Sequence, residues 1–69
     1  MARYRNKYIG RLAVGKHNTD ALTMVLDVYY ERDIFWIIYY LFSDKCEYNV
    51  SLSQFERDVK WLTAPLVTP

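Results

Sequence analysis

The sequence predicts a small α+β domain, in which a three- or four-stranded antiparallel meander is followed by one C-terminal helix. Two observations indicate this fold. Residues 22–30 and 34–42 have the alternation or the β-branched and aromatic content of strands, and a helix-start signal follows at Ser51. The chain has 69 residues, 52% hydrophobic and 17% aromatic, which predicts a single domain over 1–69 with an irregular tail at 63–69.

The first half of the chain predicts a strand, a loop and a hairpin. Residues 4–14 show a period of two with basic side chains on one face, and the polar residues 15–20 predict a loop. Residues 22–30 alternate as a strand, although Leu22, Val25 and Tyr29 also fit one face of a helix. Because residues 34–42 are rich in strand formers and follow after only three polar residues, we expect a hairpin.

The register of this hairpin predicts two apolar faces. A three-residue loop at 31–33 makes one face the core, which the helix would cover at Leu22, Leu26, Trp36 and Ile38. The other face then carries the predicted protein interface: Val25, Tyr29, Phe35, Ile37 and Tyr39. The alternative is that the sheet curls into a small barrel and buries both faces. A two-residue loop would change the pairing and mix the two sets.

The C-terminal third predicts a short strand at 46–50 and then a helix. Ser51 and Gln54 have capping-box spacing, and an apolar stripe follows at Leu52, Phe55, Val59 and Leu62. Trp61 lies off this stripe, one helical turn from Arg57. Both residue types are enriched at binding hot spots, so Arg57 and Trp61 are a further candidate contact; packing of Trp61 onto the tail is the alternative.

Charge is concentrated at the N-terminus, where the first seventeen residues contain five basic side chains and no acidic one. A nucleic-acid-binding strand would use these cations together with interleaved tyrosines: Arg3, Tyr4, Arg5, Lys7, Tyr8 and Arg11. The alternative is neutralisation by Asp27 and Glu31 across the sheet. We favour neutralisation, because the pI of 7.8 lies below the value of about 9 that marks nucleic-acid-binding domains.

The sequence lacks the signals that are typical of several classes of protein. The longest apolar run, at 34–42, has nine residues, whereas a membrane helix needs about 20. One cysteine, Cys46, cannot form an intramolecular disulfide, and together with one histidine, His17, it cannot form a four-ligand zinc site. The chain also has no phosphate-binding loop and no nucleophile elbow, so we predict no catalytic residues, no metal and no cofactor. The unpaired thiol favours a cytoplasmic location, which is the host cytoplasm for a phage-encoded protein.

Residues 47–56 read EYNVSLSQFE and resemble the strand-to-helix junction of the small phage inhibitors of uracil-DNA glycosylase. The resemblance covers ten residues and implies that a small strand-plus-helix protein can work solely by binding, although the net charge of +1 departs from the acidic character of a DNA mimic. We therefore predict a non-enzymatic protein-binding module, a homo-oligomer, whose role is that of a phage or mobile-element inhibitor of a host enzyme or defence complex. The alternative function is a nucleic-acid-binding accessory protein that uses the basic N-terminal strand.

Overall fold

The computed structural model describes residues 7–62, which form one antiparallel sheet and a helix packed against it. The elements in chain order are β1 (Leu12–Gly15), β2 (Leu22–Glu31), β3 (Ile34–Leu41), β4 (Cys46–Ser51), α1 (Leu52–Asp58) and β5 (Val59–Trp61). The strands lie in the order β4-β3-β2-β1-β5. The predicted α+β class, the antiparallel meander and the C-terminal helix are confirmed, and a fifth strand follows the helix. The tail predicted at 63–69 lies outside the described residues.

The turn between β2 and β3 has two residues rather than the predicted three. Arg32 and Asp33 both have positive φ, 56° and 63°, and Glu31 pairs directly with Ile34. Positive φ at both central positions is typical of the two-residue turns whose twist matches that of the flanking strands. The predicted register next to this turn is therefore wrong.

A β-bulge at Leu26 then shifts the register within β2. Val25 pairs with Tyr39 and Asp27 pairs with Ile38, so Leu26 is an extra residue on this strand. An extra residue moves the side chains beyond it to the opposite face. As a result, Thr23 and Val25 share a face with Val28, although their residue numbers differ in parity.

The helix covers the face of the sheet that was predicted to be the interface. Val25, Val28 and Ile37 are almost fully buried in one cluster with Leu52 and Phe55 of α1. We call this side of the sheet the helix face; its members in the cluster or packed against it are Ala13, Val25, Val28, Phe35, Ile37, Tyr39, Val50, Val59 and Trp61. The prediction that α1 packs on Leu22, Leu26, Trp36 and Ile38 is wrong. The shorter turn and the bulge offset each other, so that Met24 pairs with Tyr40 as it would with a three-residue turn, but the helix covers the opposite face of the sheet.

Helix α1 starts as predicted and ends earlier. The Ser51 hydroxyl accepts a hydrogen bond from the backbone N–H of Gln54 at 3.2 Å, which is the expected N-cap contact. Leu52 and Phe55 are buried on the helix. After Asp58 the chain becomes strand β5, in which Val59 pairs with Gly15 and Trp61 with Ala13. Leu62, expected on the helix stripe, lies beyond β5 and is 53% exposed.

The sheet bends around α1. The helix begins at the end of β4, one edge of the sheet, and leads into β5, the other edge. In a flat sheet these edges would be about 19 Å apart, four strand spacings. The seven residues of α1 extend only about 10 Å. The sheet therefore curves toward the helix, but β4 and β5 do not pair, and the barrel alternative is not adopted.

The predicted N-terminal strand is shorter than expected. Strand β1 begins at Leu12, and Lys7 and Tyr8 lie in a helical turn. Gly10 follows with φ 85°, a left-handed conformation that glycine adopts without steric cost. The chain reverses here, and the Gly10 N–H donates to the Val25 carbonyl at 2.8 Å. Residues 4–6 of the predicted strand lie outside the described residues.

The N-cap contact of α1 predicts a specific loss of stability. Ser51→Ala removes the acceptor for the Gln54 N–H, and we expect the free energy of unfolding to fall by about 1 kcal/mol. Ser53→Ala is the matched control, because Ser53 is exposed within the same helix and alanine is the better helix former. Urea denaturation of the two variants measures the difference. Equal stabilities would show that the cap contributes nothing.

Candidate functional site

One face of the sheet has no helix or strand packed on it in the part of the chain that the structure describes. We call it the open face; its apolar side chains are Leu12, Val14, Leu22, Met24, Tyr29, Trp36, Ile38 and Tyr40. Most are half-buried, and Val14, which pairs with Leu22 on one side and Lys60 on the other, is nearly fully buried. A continuous apolar surface of this kind is typical of a contact surface.

The hairpin end of the open face contains a shallow pocket of 290 Å³ lined by Tyr29, Glu31, Arg32, Trp36 and Asn49. Trp36 Nε1 donates a hydrogen bond to the Glu31 carbonyl at 3.0 Å, and Asn49 Nδ2 donates to the Tyr29 hydroxyl at 2.6 Å. These bonds restrain both rings. Tryptophan, tyrosine and arginine are the residue types most enriched at binding hot spots, and all three border this pocket.

The charged side chains of the open face lie on its central strand and on both edge strands. Asp27 on β2 and Glu47 on β4 are acidic, and Lys60 on β5 is basic. The Asp27 carboxylate also accepts a hydrogen bond from the Val28 N–H at 2.8 Å. Because β4 and β5 are the two edges of the sheet, Glu47 and Lys60 give the surface one acidic and one basic edge, and Asp27 lies between them on the central strand β2.

The predicted protein interface divides between the two faces. Val25 and Ile37 are buried beneath α1, and Phe35 and Tyr39 pack against the same cluster. Only Tyr29 lies on the open face. The predicted surplus of apolar sheet surface does exist, but apart from Tyr29 and two residues of β1 it is made by side chains that were expected in the core. Both sets of alternating side chains are apolar, so the alternation in the sequence could not show which set the helix covers.

Arg57 and Trp61 do not form the predicted pair on one helix. Arg57 is exposed in the last turn of α1, whereas Trp61 belongs to β5 and packs against the core. The Trp61 ring contacts Tyr8 and Phe55, with centroid distances of 5.8 and 5.6 Å. Trp61 therefore contributes to the interior, and the prediction that it lies on the helix is wrong.

Two members of the predicted nucleic-acid strand are buried. Arg11 is 7% exposed, and its guanidinium carbon lies 3.9 Å from the centroid of the Trp61 ring. Tyr8 is also buried, and its hydroxyl donates to a Glu56 carboxylate oxygen at 3.4 Å. Neither side chain presents the accessible surface that stacking on bases requires. Lys7 is exposed, and Arg3, Tyr4 and Arg5 lie outside the described residues.

His17 and Cys46 are both exposed, on different parts of the molecule. His17 lies in the loop between β1 and β2, and Cys46 is the first residue of edge strand β4. Among residues 7–62 no group of three or more His, Cys, Asp or Glu side chains is placed to hold a metal ion.

A cavity of 190 Å³ lies between the helix face and the C-terminal end of α1. Its lining includes Tyr39 and Phe55, whose ring centroids are 4.9 Å apart, and the exposed residue Asp58. Burial raises the pKa of the Tyr39 phenol above its ordinary value, and the negative charge of Asp58 raises it further. The phenol is therefore neutral at physiological pH. Asp58 gave no functional signal in the sequence, because one acidic residue in a helix is usually a solvated charge.

The chain has no match among known protein families, curated proteins or solved structures. No helix in the described residues has the length and hydrophobicity to span a membrane.

Proposed function

We propose that this protein is a non-enzymatic protein-binding module and that the open face is its contact surface. The observation that supports this proposal most directly is the pocket at the hairpin end, where Trp36, Tyr29 and Arg32 lie at the border of an apolar sheet face. Aromatic anchors restrained by hydrogen bonds lose little side-chain entropy on binding, which favours affinity. The role of a phage or mobile-element inhibitor of a host enzyme or defence complex belongs to the same proposal and is supported by the small size of the chain.

The separation of charge on the open face favours a second copy of the chain as one partner. A two-fold axis that lies in the interface, parallel to the strands, would place the acidic edge of one copy, with Glu47, over the basic edge of the other, with Lys60. Small domains also gain stability when association buries apolar surface that one copy leaves exposed. We therefore include a homodimer among the complexes that the open face forms.

Site-specific photo-crosslinking tests the proposed surface. A benzophenone amino acid in place of Tyr40 reports contacts of the open face, and the same probe in place of Tyr48 reports the helix face at edge strand β4. Tyr48 is 40% exposed, and Tyr40 is half-buried and therefore less accessible than Tyr48. Nonspecific capture would consequently favour the control position, Tyr48. We expect defined adducts from position 40 alone. The adduct mass then distinguishes a second copy from a different protein.

A charge at the centre of the open face should abolish these adducts. Ile38→Lys in the crosslinking protein is expected to lower the adduct yield roughly tenfold or more, because the lysine would be desolvated in the complex. Ile9→Lys is the matched control, since Ile9 is 38% exposed and lies outside the sheet. Adducts that form equally from positions 40 and 48, or that persist in Ile38→Lys, would overturn the proposal.

A further inference from the structure

The cavity between the helix face and the end of α1 is chemically distinct from the open face. It is lined by Gly15, Ala21, Thr23, Tyr39, Leu41, Val50, Phe55, Asp58 and Val59. Apart from Thr23, whose hydroxyl donates to the Ala13 carbonyl at 3.0 Å, the polar side chains of this lining are Tyr39 and Asp58. The lining contains no basic residue. The cavity therefore combines aliphatic and aromatic walls with one negative charge.

Asp58 has an oxygen available to a ligand. Its Oδ2 accepts a hydrogen bond from Gln54 Nε2 at 2.8 Å, one turn earlier on α1, and this contact orients the carboxylate. Its backbone carbonyl accepts the Lys16 N–H at 3.0 Å, which holds the end of the helix against the loop after β1. Within residues 7–62 the Oδ1 atom makes no hydrogen bond, and neither does the Tyr39 hydroxyl.

The Tyr39 and Phe55 rings complete an environment suited to a cation. Aromatic faces attract ammonium groups through the quadrupole of the ring, and a nearby carboxylate adds direct charge attraction. The aliphatic part of the lining, including Leu41, Val50 and Val59, suits a short hydrocarbon chain. An anion would be repelled by Asp58, and a neutral apolar ligand would gain no attraction from its charge.

We propose that this cavity binds a small alkylammonium cation, with the ammonium group between Asp58 and the two rings and the alkyl chain against the aliphatic wall. The volume of 190 Å³ is that of about six waters in the liquid, which sets the size of the group that fits. The same chemistry is offered by a free amine and by a lysine side chain. This site lies on the opposite side of the sheet from the open face, so its occupation does not depend on the proposed protein-binding function.

Titrations followed by two-dimensional amide NMR test the proposal. We expect n-butylammonium to shift the amide signals of Gly15, Ala21 and Val59, and to bind about tenfold more tightly than n-butanol, its neutral analogue of similar size. N-acetyl-lysine methylamide tests whether a lysine side chain is the ligand. If it binds more tightly than n-butylammonium, the site is assigned to lysine, and if it binds more weakly, the site is assigned to free amines. Added salt should weaken the binding of the cation and leave that of n-butanol unchanged.

Two asparagine variants separate the carboxylate from general effects on charge. Asp58→Asn keeps the shape of the side chain and its contact with Gln54, and should weaken n-butylammonium binding about tenfold with little change for n-butanol. Asp33→Asn is the control, because Asp33 is exposed in the turn between β2 and β3, outside the cavity lining. Equal affinity for the cation and the alcohol, no binding of either, or unchanged cation binding in Asp58→Asn would overturn the proposal.

Discussion

Replacing Ile37 by lysine is expected to abolish the fold. Ile37 has 0% exposure and pairs with Val28 and Val50 on the helix face, at the centre of the core. Losing its burial costs about 2–3 kcal/mol, and placing an ammonium group in this apolar cluster costs several more. A domain of this length has a total stability of about 3–10 kcal/mol. Far-ultraviolet circular dichroism and amide NMR should therefore show a largely unfolded Ile37→Lys variant.

The adjacent residue supplies the matched control. Ile38→Lys makes the same change one position later, but its side chain lies on the open face opposite Asp27 and Asn49. A lysine there can remain hydrated and lies beside a carboxylate, so we expect the free energy of unfolding to change by less than about 1 kcal/mol. If Ile38→Lys unfolds the protein and Ile37→Lys does not, the assignment of the two faces is reversed.

Phe55→Ala is expected to give the second large loss of stability. Phe55 is 3% exposed, and its ring lies 4.9 Å from the Tyr39 ring and 5.6 Å from the Trp61 ring between centroids. It connects α1 to β3 and to β5, so truncation leaves a void that neither neighbour can fill without moving. Substitutions of this type cost about 3–5 kcal/mol. Urea or thermal denaturation followed by circular dichroism measures the change.

The control for this prediction is Phe42→Ala. Phe42 lies in the turn after β3 and is 40% exposed, and it contacts the Tyr40 ring edge-on at a centroid distance of 5.0 Å. The same truncation there removes an exposed ring, and we expect a loss of about 1 kcal/mol or less. Similar losses for the two variants would mean that Phe55 does not anchor the helix to the sheet.

The faces of the sheet show why alternation alone was insufficient. Both parities of β2 and β3 are apolar, so the pattern predicted two strands correctly but could not say which side the helix covers. The bulge at Leu26 and the two-residue turn at Arg32 and Asp33 decide which side chains of β2 share a face with those of β3. Neither has a strong local signal, since this type of turn usually contains asparagine or glycine. Which face is buried depends on the side of the sheet on which α1 crosses from β4 to β5, and the helix covers Ile37 and leaves Trp36 and Ile38 uncovered.

The position at which the helix ends also depends on contacts with residues far away in the sequence. Residues 59–62 continue the apolar spacing of α1, and the sequence therefore predicted a longer helix. In the structure, Val59 and Trp61 pair with Gly15 and Ala13 of β1, and the Leu62 N–H donates to the Leu12 carbonyl at 2.9 Å. A β-branched and an aromatic residue suit such a strand. The edge of β1 that accepts β5 exists only after the meander has formed.

The sequence by itself determined the local elements: strands β2, β3 and β4, the cap at Ser51 and the α+β class. Each depends on residues close together in the chain, whose propensities, alternation and capping chemistry agree. Tertiary structure decided the faces of the sheet, the strand β5 and the cavity between Tyr39, Phe55 and Asp58. These features require contacts between residues far apart in the chain, which the alternation of apolar residues along each strand does not specify.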